Sequence, residues 1–274
     1  MCSTCGCGSP ENGYQIITPE EAKAIDHNKY HTHDHIHAHH DHQHDEQHHL
    51  SGHSTSSIIE LEKNILSQNN LLAERNRGYF LAKNIQAFNL VSSPGSGKTT
   101  LLEKTISQLK KEFIIQVIEG DQQTYNDARR IEQTGAEVVQ INTGQGCHLD
   151  AAMVNEALLK LNPPNNSCLF IENVGNLVCP ALFDLGEAER VVIISVTEGD
   201  DKPLKYPFMF ESSHVCIINK SDLLPYVDFN VEKVKDYALR INHHLTFFEL
   251  SATTGQGTAE WYDWLRKKFS TKTG

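Results

Sequence analysis

From residue 86 onward one pattern repeats: a short apolar run, a longer segment with helical spacing, then another apolar run. The runs are AFNLVSS, FIIQVIEG, EVVQIN, SCLFIEN, RVVIISV, HVCIIN and TFFELSA, rich in Val, Ile and Phe and hydrophobic throughout rather than alternating. Strands buried on both faces need that composition, and such strands belong to parallel sheets covered by helices on each side. Strands alternating with helices predict an α/β fold, a doubly wound and mostly parallel sheet.

The first run leads into SSPGSGKTT. Pro94-Gly95-Ser96-Gly97-Lys98-Thr99 follows a strand and opens a helix, the setting of a phosphate loop (P-loop). Backbone N–H groups from Gly95 to Thr100 would surround a β-phosphate at a helix N-terminus, whose dipole favours anions. Lys98 would neutralise β/γ oxygens, and the Thr99 hydroxyl would take Mg2+. The usual spacing places Gly at position 92, where this chain has Ser92. The Gly-Lys-Thr core is intact.

Two further stretches predict the base. HVCIINKSD sets Asn219-Lys220-Ser221-Asp222 at the end of a buried strand. A carboxylate at Asp222 would accept hydrogen bonds from guanine N1–H and the exocyclic amine. Adenine offers neither, and a site built on hydrogen bonds rejects a ligand that lacks them. ELSATTG places Ser251 and Ala252 after the next strand, where GTPases carry a second guanine-contacting loop. The combination predicts GTP. Asp121 ends VIEGD and Glu172 lies near the end of CLFIEN; either would hold Mg2+ directly or through water. With Lys98 they are the candidate catalytic groups, the alternative for Asp121 being a helix cap. No catalytic Gln or arginine finger is assignable, so slow intrinsic hydrolysis is expected.

Cysteine and histidine form a second theme. GQGCHLD gives adjacent Cys147 and His148 at a strand-to-helix junction, and ENVGNLVCP gives Cys179 beyond Glu172. Thiolate plus imidazole suits Zn2+ or Ni2+; the alternative for Cys147-His148 is a buried Cys beside a polar capping His. Cys168 and Cys216 fall inside apolar runs and read as core. The chain opens MCSTCGC, a C-x-x-C-x-C cluster of Cys2, Cys5 and Cys7. Seven cysteines in 274 residues are too sparse for a disulfide scaffold. No secretory signal or membrane-length apolar run is found, so the expected compartment is the cytoplasm, where thiols stay reduced and such clusters bind metal or do redox chemistry.

Residues 27–53 hold twelve of the sixteen histidines, among them His31, His33, His35, His37, His39, His40, His42 and His44. With almost nothing to bury, this tract is expected to be disordered and to collect metal ions; an expression tag is the alternative. Of the net charge of −11, −7 lies in the first 60 residues, and no basic bias suggests a nucleic-acid partner. Ser57 and Glu60 have capping-box spacing, and Ile58, Leu61, Ile65 and Leu72 recur at helical intervals, predicting an amphipathic helix over 57–76 that ends near Gly78. The division is thus a tail (1–55), a helix (56–80) and a nucleotide-binding domain (81–274). A flexible stretch from 8 to 55 would span roughly 40 Å.

MCSTCGC, the histidine tract, PGSGKTT, GQGCHLDA, ENVGNLVCP, NKSDLLPY and SATTG together resemble the HypB family of GTPase metallochaperones for [NiFe]-hydrogenase maturation, over essentially the full chain. The resemblance implies a P-loop GTPase fold, a tight nickel site at Cys2, Cys5 and Cys7, and a second Ni/Zn site at Cys147, His148 and Cys179 in a GTP-dependent homodimer interface. It implies as partners a second nickel-maturation protein and the hydrogenase large subunit, and no membrane. Three tail thiolates and one nitrogen, the Cys2 amine if Met1 is removed, would make a four-coordinate Ni2+ site. The related urease accessory GTPases carry Cys-Pro-His where this chain has Gly146-Cys147-His148. Rival expectations are a urease-type nickel chaperone and a nickel/zinc storage protein with a vestigial nucleotide site.

Overall fold

The seven apolar runs are strands, and all seven run parallel. A computed structural model describes residues 13–22, 55–122 and 124–270 of the chain. Its strands are β1 (Gln15–Ile17), β2 (Gln86–Ser92), β3 (Ile115–Asp121), β4 (Glu137–Asn142), β5 (Cys168–Glu172), β6 (Glu189–Ser195), β7 (Val215–Asn219) and β8 (Thr246–Glu249). They form one sheet in the order β1-β4-β3-β5-β2-β6-β7-β8. The longer helices are α1 (Thr55–Ala82), α2 (Lys98–Leu109), α3 (Asn126–Gln133), α4 (Ala151–Leu161), α5 (Val231–Ile241) and α6 (Thr258–Ser270).

Alternate residues of each strand feed opposite layers. Phe88 and Leu90 of β2 pack with Leu102 and Ile106 of α2 and Trp261 and Leu265 of α6. Ala87 faces the other way, into a cluster with Phe80 of α1 and Val154 and Leu158 of α4. Val91 joins a third cluster with Val234 and Ala238 of α5. β2 lies between β5 and β6, so the loop leaving its C-terminal end opens where the connections diverge to either side, the usual ligand crevice of such sheets.

Two expectations are corrected. Gln15–Ile17, assigned to the disordered tail, pair antiparallel with Gln140–Asn142 at the edge of β4, and a helical turn follows at 19–22. Three residues are too short to leave a periodic signal. The helix predicted over 57–76 spans Thr55–Ala82, so Ser57 lies inside it and Gly78 does not stop it. Gly78 is exposed, whereas Asn76 and Phe80 on either side of it are buried, and their contacts outweigh glycine's poor helix propensity. Asn84, in a left-handed conformation (φ 53°), turns the chain into β2 instead. The side chains of Ile58 and Leu61, like all of Cys2, Cys5, Cys7 and the histidine tract, lie outside the described residues. No helix among the described residues is long and apolar enough to cross a membrane.

Candidate functional site

The chain leaves β2 at Ser92 and enters α2 at Lys98. Gly95 (φ 75°) and Gly97 (φ 91°) take the left-handed conformations that L side chains rarely adopt, and a Cβ on Gly97 would stand 2.5 Å from Asn219 Nδ2. Lys98 Nζ and the Thr99 hydroxyl each donate to Glu172 Oε1 at 2.6 Å. Glu172 is fully buried at the end of β5. Among the described residues no fixed donor reaches its Oε2, nor does any partner reach the buried Ser96 Oγ. Burial pulls the Lys98 ammonium down, but the charges of Glu172 and Glu119 more than compensate and hold it above its usual range. Thr100 Oγ1 accepts from Arg130 at 3.0 Å.

Glu119 was not singled out in the sequence. It stands opposite Glu172 in the β3–β5 register, 2 % exposed, its carboxyl set against that of Glu172. Burial, then the charge of Glu172, pushes its carboxyl well above the usual range. The signal was present as an acid inside the apolar run FIIQVIEG. Asp121, two residues on, turns into its own loop: its carboxylate accepts from Gln122 N, Thr124 N and Thr124 Oγ1. These bonds close the turn before α3 rather than cap it, since the helix begins after Tyr125 with no side-chain cap.

The base-side residues gather at the ends of β7 and β8. Asn219 Nδ2 donates to Ser96 O at 2.8 Å, while its Oδ1 accepts from Lys220 N and Ala252 N. One amide thereby fastens the phosphate loop, the Asn-Lys-Ser-Asp loop and the Ser-Ala-Thr loop together. Lys220 (φ 61°) reaches back to Gly95 O at 2.7 Å. Asp222 lies in the first turn of the short 3-10 helix Ser221–Tyr226. Ser251 is buried, its hydroxyl accepting from Thr254 N.

Beside this crevice, Cys147, His148 and Cys179 converge, their ligand atoms all within 4.8 Å of one another. The two sulfurs are 2.9 Å apart as free thiols, and Cys147 Sγ is 3.9 Å from His148 Nδ1. The loop after β4 aims Cys147 inward: Gly144 takes φ 58°, and Thr143 closes on Gly146 with both its carbonyl and its hydroxyl. Asn176 donates to Cys147 O from the loop after β5. His148 is buried and stacked on Phe183, centroids 4.0 Å apart. Burial, against the charge of Asp150, lowers its pKa, which favours the neutral imidazole that ligates metals. Cys168 and Cys216 are buried in strands with their thiols pushed up, as expected of core residues.

Residues 86–249 match the family model described as CobW/HypB/UreG, nucleotide-binding domain. The hydrogenase maturation factor HypB of Rhizobium leguminosarum bv. viciae is 57% identical over 217 residues, 79% of this chain and 73% of that one. The chain belongs to the HypB family. Among solved structures, HypB from Archaeoglobus fulgidus superposes with a TM-score of 0.70 at 41% identity, covering 74% of this chain and 99% of that one. HypB from Helicobacter pylori, solved in complex with nickel, gives a TM-score of 0.69 at 38% identity, covering 74% and 96%.

Proposed function

We propose that this chain is a cytoplasmic hydrogenase maturation factor that hydrolyses GTP and carries Ni2+ as its cargo. The convergence of Cys147, His148 and Cys179 supports this most directly. Two thiols and a neutral imidazole are the soft set that Ni2+ or Zn2+ accepts. Cys179 follows β5, whose end carries Glu172, and Cys147 and His148 follow β4 of the same sheet, so a shift of the Glu172 strand end would move one ligand relative to the other two. Three ligands leave a four-coordinate ion one short, and Val178 and Leu182 expose apolar surface beside Cys179. A GTP-dependent homodimer would bury that surface and complete the coordination.

The residues fit Mg2+ as well. Thr99 Oγ1, Glu172 and the unpartnered Ser96 Oγ offer the hard oxygen donors that ion takes, and Lys98 now occupies the carboxylate as a stand-in cation. When bound, Mg2+ supplies charge neutralisation at the β/γ oxygens. Gly95 to Thr100 cradle the phosphates, Lys98 turns from Glu172 to the phosphate oxygens, and Asp222 reads the base. The intact phosphate loop weighs against a storage protein with a vestigial nucleotide site. The test is hydrogenase activity in cells whose own copy is deleted. Lys98→Ala and Cys179→Ala are each expected to abolish it, and excess nickel is expected to restore it. Full activity of both variants at limiting nickel overturns the proposal.

A further inference from the structure

β2 is the central strand bearing the phosphate loop, and a fold that needed only stability would place Val or Leu at every inward position of it. Position 89 is Asn, wholly buried, on the face of Ala87 and Val91. A buried amide is unfavourable unless each polar atom is paired. Both atoms of Asn89 are paired, and following the partners leads to each of the metal-ligating segments.

On one side, Asn89 Oδ1 accepts from Asn173 Nδ2 at 3.3 Å. Asn173 directly follows Glu172, the carboxylate that holds Lys98 and Thr99. Its Oδ1 accepts from Leu149 N at 3.1 Å, the residue after His148. On the other side, Asn89 Nδ2 donates to Glu187 Oε1 at 3.0 Å. Glu187 is paired with Arg190, Nε donating to the same oxygen at 2.9 Å. Arg190 in turn donates to Ala181 O at 3.2 Å and Phe183 O at 2.8 Å. Ala181 is two residues from Cys179, and Phe183 is the ring on which His148 stacks.

An outer tie holds the same segments from the opposite side. Asn69 of α1 accepts from Ala151 N and donates to Asp184 O, and Asn76 donates to Ala151 O and Leu185 O. The helix thus frames both ligand loops. Asn173 joins the loop of Cys147 and His148 to the strand end that meets the phosphate loop, and Asn176 ties that loop to the segment leading to Cys179.

We infer that Asn173, Asn89, Glu187 and Arg190 are positioning residues that transmit the nucleotide state at Glu172 to the separation of Cys147 and His148 from Cys179. The inference rests on the nickel and GTP roles proposed above. With Lys98 drawn to the phosphate oxygens and the Thr99 hydroxyl to Mg2+, Glu172 loses both present donors and its strand end resettles. Asn173 cannot move while keeping both Leu149 N and Asn89 Oδ1, so the two ligand loops shift relative to each other within the frame of α1. A ligand moves such an equilibrium only through its differential affinity for the two arrangements, and the effect is reciprocal.

The experiment uses the full chain with Cys2→Ser, Cys5→Ser and Cys7→Ser, so that thiolate-to-nickel charge-transfer absorbance reports on Cys147 and Cys179. Nickel is titrated from a chelator buffer into the GDP-loaded and GTP-analogue-loaded protein. The background protein is expected to show affinities differing at least about fivefold between the states, the lower end of ordinary coupling. Asn89→Leu removes both relay bonds at a residue that touches neither nucleotide nor metal ligand, and is expected to bring the ratio within twofold of one. Asn89→Ser, smaller and able to admit a water, serves if the leucine variant does not fold. A residue with a purely structural role would lower the melting temperature and leave the ratio intact. A ratio kept in the variants overturns the relay while leaving the nickel–GTP function standing. Equal affinities in the background protein overturn both.

Discussion

Asn219→Ala would break the one side chain that fastens three loops. Asn219 is 1 % exposed, and its amide serves Ser96 O, Lys220 N and Ala252 N at 2.8, 2.8 and 3.0 Å. Lys220 is half-exposed, so water replaces that partner. Ser96 and Ala252 are buried, and leaving each backbone group unsatisfied costs about 1–3 kcal/mol. A loss of about 3 kcal/mol would lower the melting temperature by roughly 6–12 °C in a domain of this size. If nucleotide binding must restore the broken alignment, the same loss weakens GDP binding about 150-fold. Calorimetry of the nucleotide-free protein and equilibrium titration with a fluorescent GDP give the two numbers. Asn219→Asp is the control: it keeps both acceptor bonds but sets an oxygen against Ser96 O, so GDP binding should again fall. A large fall in melting temperature with GDP affinity within threefold of wild type would refute the reasoning, because the amide would then brace the core without shaping the site.

Asp222→Asn should leave the melting temperature unchanged while exchanging guanine for xanthine affinity, since xanthine presents a carbonyl where guanine presents an amine; undiminished GTP binding would remove Asp222 from the base-reading loop. Deleting residues 27–53 should sharply reduce the nickel ions bound in equilibrium dialysis and leave GTP turnover as it was; an unchanged nickel count would reduce the tract to a linker. Glu119 has its folded-state pKa raised by burial and by Glu172, so it favours the folded state fully below the unfolded value of about 4.3, and that contribution is lost as pH rises through the folded value. Glu119→Gln should therefore gain in melting temperature relative to wild type as pH rises above about 4.3; a difference that stays flat to pH 8 would contradict it.

What was legible in the sequence was what local spacing encodes. Phosphate-loop geometry follows from two left-handed glycines and a lysine at the helix start, and these are neighbours in the chain. β2 to β7 were legible because burial on both faces demands an unbroken apolar run; β8 lies at the sheet edge and buries only Phe248 of its four residues. Cys147 and Cys179 are 32 residues apart, and nothing in their spacing brings them together. Their meeting depends on β4 and β5 flanking β3, which is a fact of topology. Glu119 and Asn89 were missed for a related reason. A single polar residue within an apolar run reads as tolerated noise until the partners opposite it are known. Gly78 misled because helix propensity, worth about 1 kcal/mol at glycine, is smaller than the burial of the residues around it.

The short pairing of β1 with β4 has a consequence for the first residues of the chain. Gly13 O lies 3.3 Å from where a Cβ on Gly144 would stand, and Gly144 is three residues from Cys147. The covalent chain lets Cys7 stray at most about 20 Å from that anchor, and Cys2 about 40 Å. Confinement of this kind corresponds to a millimolar effective concentration of one thiol set at the other. An ion passing between the two thiol sets of one molecule would therefore do so as a first-order event, at a rate that diluting the protein leaves untouched.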